Sequence, residues 1–191
     1  MRYLVTAALL SALVTVGALA DPGERYKDAS GAFSIAMDAT ADRLFRLSQQ
    51  HASDDIVVAD FIYTRVESRG GYAARSIEWI KLTAPVAAEL MDLRATQTVS
   101  GYLEGRFAGT PFTITGRSKA RNAAGQLVYR FTATGSVSGA AARWTGIVIF
   151  FDQGIALVSQ LSTEPTRKLL DADGVTDAEF ADWAATVRPG P

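Results

Sequence analysis

Few side chains in this sequence are of the types that carry out catalysis. The chain has no cysteine and one histidine, His51, which excludes cysteine nucleophiles, disulfide frameworks and multi-histidine metal sites. A Ser–His mechanism also needs an oriented serine and an acid. Ser48, Ser53 and Asp54 are near in sequence, but neither G-x-S-x-G nor S-x-x-K occurs. We therefore predict that the protein is not an enzyme and that His51 ends a helix, where an imidazolium would face the negative end of the helix dipole.

An acidic run near the C-terminus is the second candidate for chemistry. Asp171, Asp173, Gly174 and Glu179 resemble part of an EF-hand calcium loop, which has Gly at its sixth position and a bidentate Glu at its twelfth. With Gly174 aligned to the sixth position, Glu179 falls one residue short of the twelfth. The spacing from Thr176 to Glu179 is instead typical of a capping box that opens a helix. The sequence thus predicts no metal and no other cofactor.

A run of basic residues is the strongest functional lead. Residues 105–151 contain six basic residues and no Asp or Glu, although the whole chain has a net charge of −1. Arg117, Lys119 and Arg121 alternate, so they would share one face of a strand, and Arg130 on the next strand could lie beside them. We predict that these four residues form a basic strip that binds an envelope protein or an anionic surface. A solvated sheet face is the alternative interpretation.

The N-terminal segment is typical of a secretory signal peptide. Arg2 is its only charged residue, residues 3–20 are mostly apolar, and an A-x-A sequence ends at Ala20. A retained membrane anchor is the rival, but the uncharged run is at the short end of what spans a bilayer. We therefore expect cleavage after Ala20, no transmembrane span afterwards, and a periplasmic or secreted protein. Export also makes nucleic acid an improbable partner.

Residues 21–191 predict a single α+β domain. Apolar periodicity predicts helices at 40–50, for about 20 residues after Thr83-Ala84-Pro85, at 165–170 and at 176–187. Residues 96–104 could be helix or strand, because Thr96, Thr98 and Val99 are β-branched. Strands are predicted at 32–37, 56–67, 75–82, 112–118, 127–134, 143–151 and 155–161.

The strand at 143–151 is apolar on both faces and therefore needs cover on both faces. This predicts a mainly antiparallel sheet covered by helices on both faces, an α/β/α sandwich with one long central helix and a C-terminal helix. The hairpins at 112–137 and 143–161, joined by a loop at 136–142, are expected at its centre.

Several short segments resemble the Mog1/PsbP-like superfamily, which includes the DcrB-like bacterial envelope proteins. They are Tyr26, Phe33-Ser34-Ile35, Tyr129-Arg130-Phe131-Thr132-Ala133, Trp144-Thr145-Gly146, Ile149-Phe150-Phe151 and Gly154. The resemblance implies an antiparallel sheet between helices and a mostly non-enzymatic role in binding or assisting other proteins. It carries over no residue-level site.

Two functions therefore stay open. The first is an exported, non-enzymatic envelope protein that binds a protein or an anionic partner. The alternative is a small-molecule or lipid-binding protein that uses a cavity between the sheet and the long helix. A filled core would favour the first function, whereas a cavity of several hundred Å3, on the order of ordinary ligand pockets, would favour the second.

Overall fold

The structure, a computed structural model, describes residues 25–36, 45–53, 56–63, 73–122, 125–163 and 177–190. The signal peptide predicted at 1–20, the helix predicted at 165–170 and the two aspartates of the acidic run lie outside these residues.

The described residues form strands, two α-helices and one short 3-10 helix at Ala88–Leu90. The helices are α1 (Met91–Arg106) and α2 (Asp177–Ala184). The strands are β1 (Arg25–Lys27), β2 (Phe33–Ala36), β3 (Phe45–Ser53), β4 (Ile56–Tyr63), β5 (Ala73–Lys81), β6 (Thr113–Arg121), β7 (Leu127–Val137), β8 (Ala140–Phe151), β9 (Gly154–Thr163) and β10 (Arg188–Pro189).

Seven strands form one antiparallel sheet in the order β3-β4-β5-β9-β8-β7-β6, and β1, β2 and β10 form a smaller sheet. After β5 the chain passes through α1 to the far edge strand β6. It then returns hairpin by hairpin until β9 pairs with β5. The long helix therefore lies on one face of the large sheet, where Asp92 near its start contacts β6 and β7 and Tyr102 contacts β5 and β9.

Both faces of the large sheet are covered, as the two-faced apolar strand predicted. On one face, α1 packs through Ala95 and Val99 on a core that contains Trp144. On the other face, α2 and the small sheet pack over Ile77 and Ile149. The predicted fold class, an antiparallel α+β sandwich with one long helix and a C-terminal helix, is confirmed.

The predicted helix at 40–50 is wrong over residues 45–50, which belong to β3. This strand pairs with β4 along its length, from Phe45 opposite Tyr63 to Ser53 opposite Ile56. Long-range pairing overrides a weak local helical pattern. His51 therefore lies inside a strand, in register with Val57, and does not end a helix.

The boundaries of α1 and of the β7–β8 hairpin also differ from the prediction. Residues 96–104 are helical, but α1 begins at Met91 and not near Thr83, and no side chain caps its first turn. The expected loop at 136–142 is a tight turn at Ser138 and Gly139, both with positive φ. Such a turn matches the twist of two paired strands, so β7 and β8 continue into it.

Of the two hairpins predicted at the centre of the sheet, only the one at 143–161 lies there. β8 and β9 are central, whereas β6 is an edge strand. A strand that is apolar on both faces is expected to bury every residue from Ile147 to Phe151. Ile147, Val148 and Ile149 are buried, whereas Phe150 and Phe151, at the end of β8, are only half-buried.

Candidate functional site

The structure brings together three of the four residues of the predicted basic strip. Arg117, Lys119 and Arg121 lie on β6 opposite three residues of β7 that face α1, namely Phe131, Tyr129 and Leu127. Arg130 is in register with Ser118. Because side chains alternate between the faces of a sheet, Arg130 lies on the opposite face. The prediction that all four residues share one face is therefore wrong.

A single carboxylate, Asp92 in the first turn of α1, contacts two cations of the strip. Lys119 Nζ donates a hydrogen bond of 2.7 Å to Asp92 Oδ1, and an Arg117 nitrogen lies 3.6 Å from Asp92 Oδ2. The Tyr129 hydroxyl also donates to Asp92 Oδ1, at 2.7 Å. These contacts tie β6 and β7 to the N-terminal end of α1.

The titration behaviour of this cluster follows from its contacts. The hydrogen bond from Lys119, supported by the one from Tyr129, lowers the pKa of Asp92. Burial, together with the hydrogen bond to Asp92, raises the pKa of Tyr129 to about 12. The cluster therefore holds an ionised Asp92 beside a neutral Tyr129 at neutral pH.

The two remaining residues of the predicted strip have different environments. Arg121 donates to the backbone carbonyl of Gly125. Arg130 borders a hollow of about 190 Å3 on the α2 face, next to Ile147 and Phe180. Within the described part of the chain, its Nε atom is buried without a hydrogen-bond partner.

A larger groove lies on the other side of α1, between the helix and strands β4 and β5. Its volume is about 580 Å3. The floor is formed by Ile56 and Val58 of β4 with Glu78 and Ile80 of β5, and the cross-strand register places these residues on one face. The helix contributes the wall: Arg94, Gln97, Thr98, Gly101, Tyr102, Gly105 and Arg106.

The direction of α1 fixes the order of residues along the groove. The chain enters α1 directly after β5, and the Tyr102 hydroxyl lies 2.9 Å from Ser76 Oγ. The helix therefore runs antiparallel to β5. Tyr102 to Arg94 is about 12 Å along a helix, and Ser76 to Ile80 is about 13 Å along a strand. Arg94 thus lies at the Ile80 end of the groove, and Arg106 at the opposite end.

The wall of the groove is bare at two glycines, Gly101 and Gly105. Glycine inside a helix costs about 0.5–1 kcal/mol relative to alanine. An added Cβ atom at either position would meet no atom of the described residues within 4 Å. Tight packing among these residues therefore does not require glycine at either position, and both leave the groove wide.

Glu78 gives the groove a half-buried carboxyl group. Burial raises its pKa, and the positive charge of Arg106 partly offsets this effect. Beside it, Tyr102 is fixed by a buried triangle of hydroxyl groups. Ser76 and Ser159 are 2.8 Å apart, and Tyr102 lies 3.2 Å from Ser159. Tyr102 is thus held in place within the wall of the groove, and the apolar floor carries one acidic group.

The groove has the parts of a binding site. No group of three or more metal-ligating side chains occurs among the described residues. Sequence reasoning anticipated a cavity between sheet and long helix but named none of its residues. The available signal was the Gly101-x-x-x-Gly105 spacing on the long helix, since glycine is unfavourable in a helix interior.

Similarity to known proteins is found among solved structures and not among family models or curated sequences. No family model matches the chain, and no curated protein sequence matches it. Among solved structures, chains of similar architecture are found, and their identities with this chain are low.

In particular, the chain is similar to the solution structure of cyanobacterial PsbP (CyanoP) from Synechocystis sp. PCC 6803. The identity is 14%, the match covers 94% of this chain and 98% of that one, and the TM-score is 0.49. It is also similar to PA94, a Pseudomonas aeruginosa protein of unknown function, with 13% identity, coverage of 79% and 90%, and a TM-score of 0.38. At these values the likeness concerns the fold and identifies no ligand or partner.

Among the helices of the described residues, none combines the length and the apolar character needed to cross a membrane.

Proposed function

We propose that the protein is a non-catalytic binding protein and that the groove between α1 and strands β4 and β5 holds a small molecule with an apolar body. The groove itself supports this proposal most directly. At about 580 Å3, it falls within the range of about 300–1,000 Å3 that is usual for ligand sites. An apolar floor with a few polar groups is also usual for such sites.

The two glycines of the wall add a second line of support. Alanine at Gly101 or Gly105 would improve helix propensity and would meet no atom of the described residues within 4 Å. A ligand that approaches the helix backbone closely gives a reason for both glycines.

Binding of Nile red, a neutral dye that fluoresces in apolar surroundings, tests this proposal. We expect saturable, blue-shifted fluorescence with the wild-type protein and a loss of affinity of at least about tenfold in Gly101→Leu, because the leucine would fill the groove. Thr96→Leu is the matched control, since Thr96 also lies on α1 but does not line the groove. Unsaturable dye binding, or equal affinity in Gly101→Leu, would refute the proposal.

A second candidate function is the binding of an envelope protein or another anionic partner on Arg117, Lys119 and Arg121. Its support is the position of three cations on an edge strand whose side chains are exposed. Asp92 offsets part of this charge. Exposed charges are screened beyond about 10 Å at 0.1 M salt, so only a closely docked partner would feel them.

Vesicles that contain phosphatidylglycerol test the second candidate at low salt. Arg121→Glu is expected to weaken vesicle binding, whereas Lys81→Glu, the same charge change at an exposed residue of β5, is expected to leave it intact. Equal losses of vesicle binding in both variants would mean that binding depends only on the net charge of the protein, and would exclude the strip as a specific binding surface.

We also infer that the protein is exported and acts in the periplasm or outside the cell. Support comes from the composition of residues 1–20, in which Arg2 is followed by an apolar run and an A-x-A end. Intact-mass analysis of protein from the producing cells should find a chain that begins at Asp21. A mass that retains residues 1–20 would contradict export by cleavage.

A further inference from the structure

We propose that the ligand of the groove is a linear amphipathic anion: one alkyl chain that ends in an acidic group, with the acidic group at Arg94 and the chain along the floor of β4 and β5. This inference rests on the proposed function of the groove and names the chemistry that it would select.

The two arginines of the wall differ in their surroundings. Arg106 lies close enough to Glu78 to favour the ionised form of that carboxyl group. Arg94 is exposed at the other end of the groove, and its side chain forms no hydrogen bond or ion pair with the described residues. A guanidinium group binds an acidic group through two parallel hydrogen bonds. Arg94 is therefore the position for an acidic headgroup.

The charge of Glu78 sets the direction of the ligand. Glu78 lies opposite Val58 in the strand register, whereas Ile80 lies opposite Ile56 at the Arg94 end. An anionic headgroup near Glu78 would meet repulsion, but near Arg94 it would meet attraction. The alkyl chain would then run from Ile80 past Val58 and along the glycine wall.

The shape of the groove favours a chain over a compact molecule. Its helical wall extends from Arg94 to Arg106, which is about 18 Å along an α-helix. Gly101 and Gly105 widen the half of the groove that lies away from Arg94. A flexible alkyl chain can follow this long groove, whereas a compact ring system would fill only part of its length.

Three probes with the same alkyl chain separate the possible headgroups: octanoate, octan-1-ol and octylamine, each titrated into the full mature chain at neutral pH and followed by NMR. We expect octanoate to bind about tenfold or more tightly than octan-1-ol, because charge-assisted hydrogen bonds are stronger than neutral ones. Arg94→Gln is expected to remove this preference. Arg188→Gln, which removes an exposed arginine on β10 outside the groove, is expected to preserve it.

The outcomes distinguish this inference from the function on which it rests. If octan-1-ol binds as tightly as octanoate and Gly101→Leu blocks both, the groove binds apolar ligands and the acidic headgroup is refuted. Tightest binding of octylamine would assign recognition to Glu78 and would also refute it. If none of the three probes saturates the protein, the proposed function itself fails.

Discussion

The two sides of helix α1 differ in how closely they contact the sheet. On the β6–β7 side, Asp92 hydrogen-bonds with Lys119 and Tyr129, so helix and sheet are tied together. On the β4–β5 side, Gly101 and Gly105 face a groove of about 580 Å3. One helix thus has a fastened side and an open side.

This difference indicates what the charges on each side can do. Lys119 and Arg117 already interact with a carboxylate of the same chain, so part of their charge contributes to internal structure. Arg94 on the open side interacts with no other described residue through a hydrogen bond or ion pair. The basic strip, in which Arg117 and Lys119 contact Asp92, is therefore a weaker functional lead than Arg94 at the end of the groove.

Trp144→Ala should produce the largest effect, because this side chain is fully buried beneath α1. Removal of a buried aromatic side chain costs about 3–5 kcal/mol. Urea denaturation measures the loss. Leu93→Ala is the control on the exposed surface of the same helix, where Leu93 is 57% exposed, and a surface change should cost under about 0.5 kcal/mol. Similar losses in both variants would contradict the assignment of the core.

Two glycine substitutions should act with opposite signs. A Cβ atom at Gly146 would lie 2.1 Å from the Trp144 ring, so Gly146→Ala should destabilise the protein by about 1–3 kcal/mol through overpacking. Gly101→Ala adds a methyl group in open space and should stabilise it by about 0.5–1 kcal/mol. Denaturation midpoints compare the two variants. Destabilisation by Gly101→Ala would mean that the helix is packed on both sides.

Much of the fold could be predicted because its strongest patterns are local. The strand at 143–151 is apolar on both faces, which predicted cover on both faces. The spacing from Thr176 to Glu179 predicted a helix at 176–187, and the structure has α2 at Asp177–Ala184. β3 could not be predicted in this way. Its sequence, Phe45 to Ser53, mixes polar and apolar residues, and pairing with β4 makes it a strand.

Less of the candidate site than of the fold could be predicted from the sequence. Whether Arg130 shares a face with Arg117 and Lys119 depends on the register between β6 and β7, since a slip of one residue would move the β6 side chains to the other face. The groove depends on the path of α1 from β5 to the distant edge strand β6. Neither the register nor this path is encoded in any local spacing.

Asp92→Asn should weaken the fastened side and lower stability at neutral pH, by less than Trp144→Ala because Asp92 is exposed. The pKa of Asp92 is lowered in the folded protein from its usual 3.8. Its contribution is therefore present above the unfolded-state pKa and is lost as the pH falls through the folded-state pKa. Denaturation of both proteins across the acidic range should find that their difference disappears at low pH. A difference that persists in strong acid would contradict an ionic contribution.

Glu78→Gln should have a small effect of the opposite sign on the open side. Burial raises the pKa of Glu78, so the folded protein holds this proton more tightly than the unfolded chain. Stability is then highest below the unfolded-state pKa and decreases as the pH rises through the folded-state pKa. The glutamine variant should be the more stable protein at neutral pH and should match the wild type in acid. A loss of stability at neutral pH would mean that the ionised carboxylate stabilises the fold.

An amide chemical-shift map of the protein titrated with octan-1-ol tests the contrast between the two sides of α1 most directly. We expect saturable shifts to cluster at 56–58, 78–80 and 94–106, with residues 113–121 on the fastened side unaffected. Shifts centred on Arg117, Lys119 and Arg121, or no saturable shifts at all, would contradict the groove as the binding site.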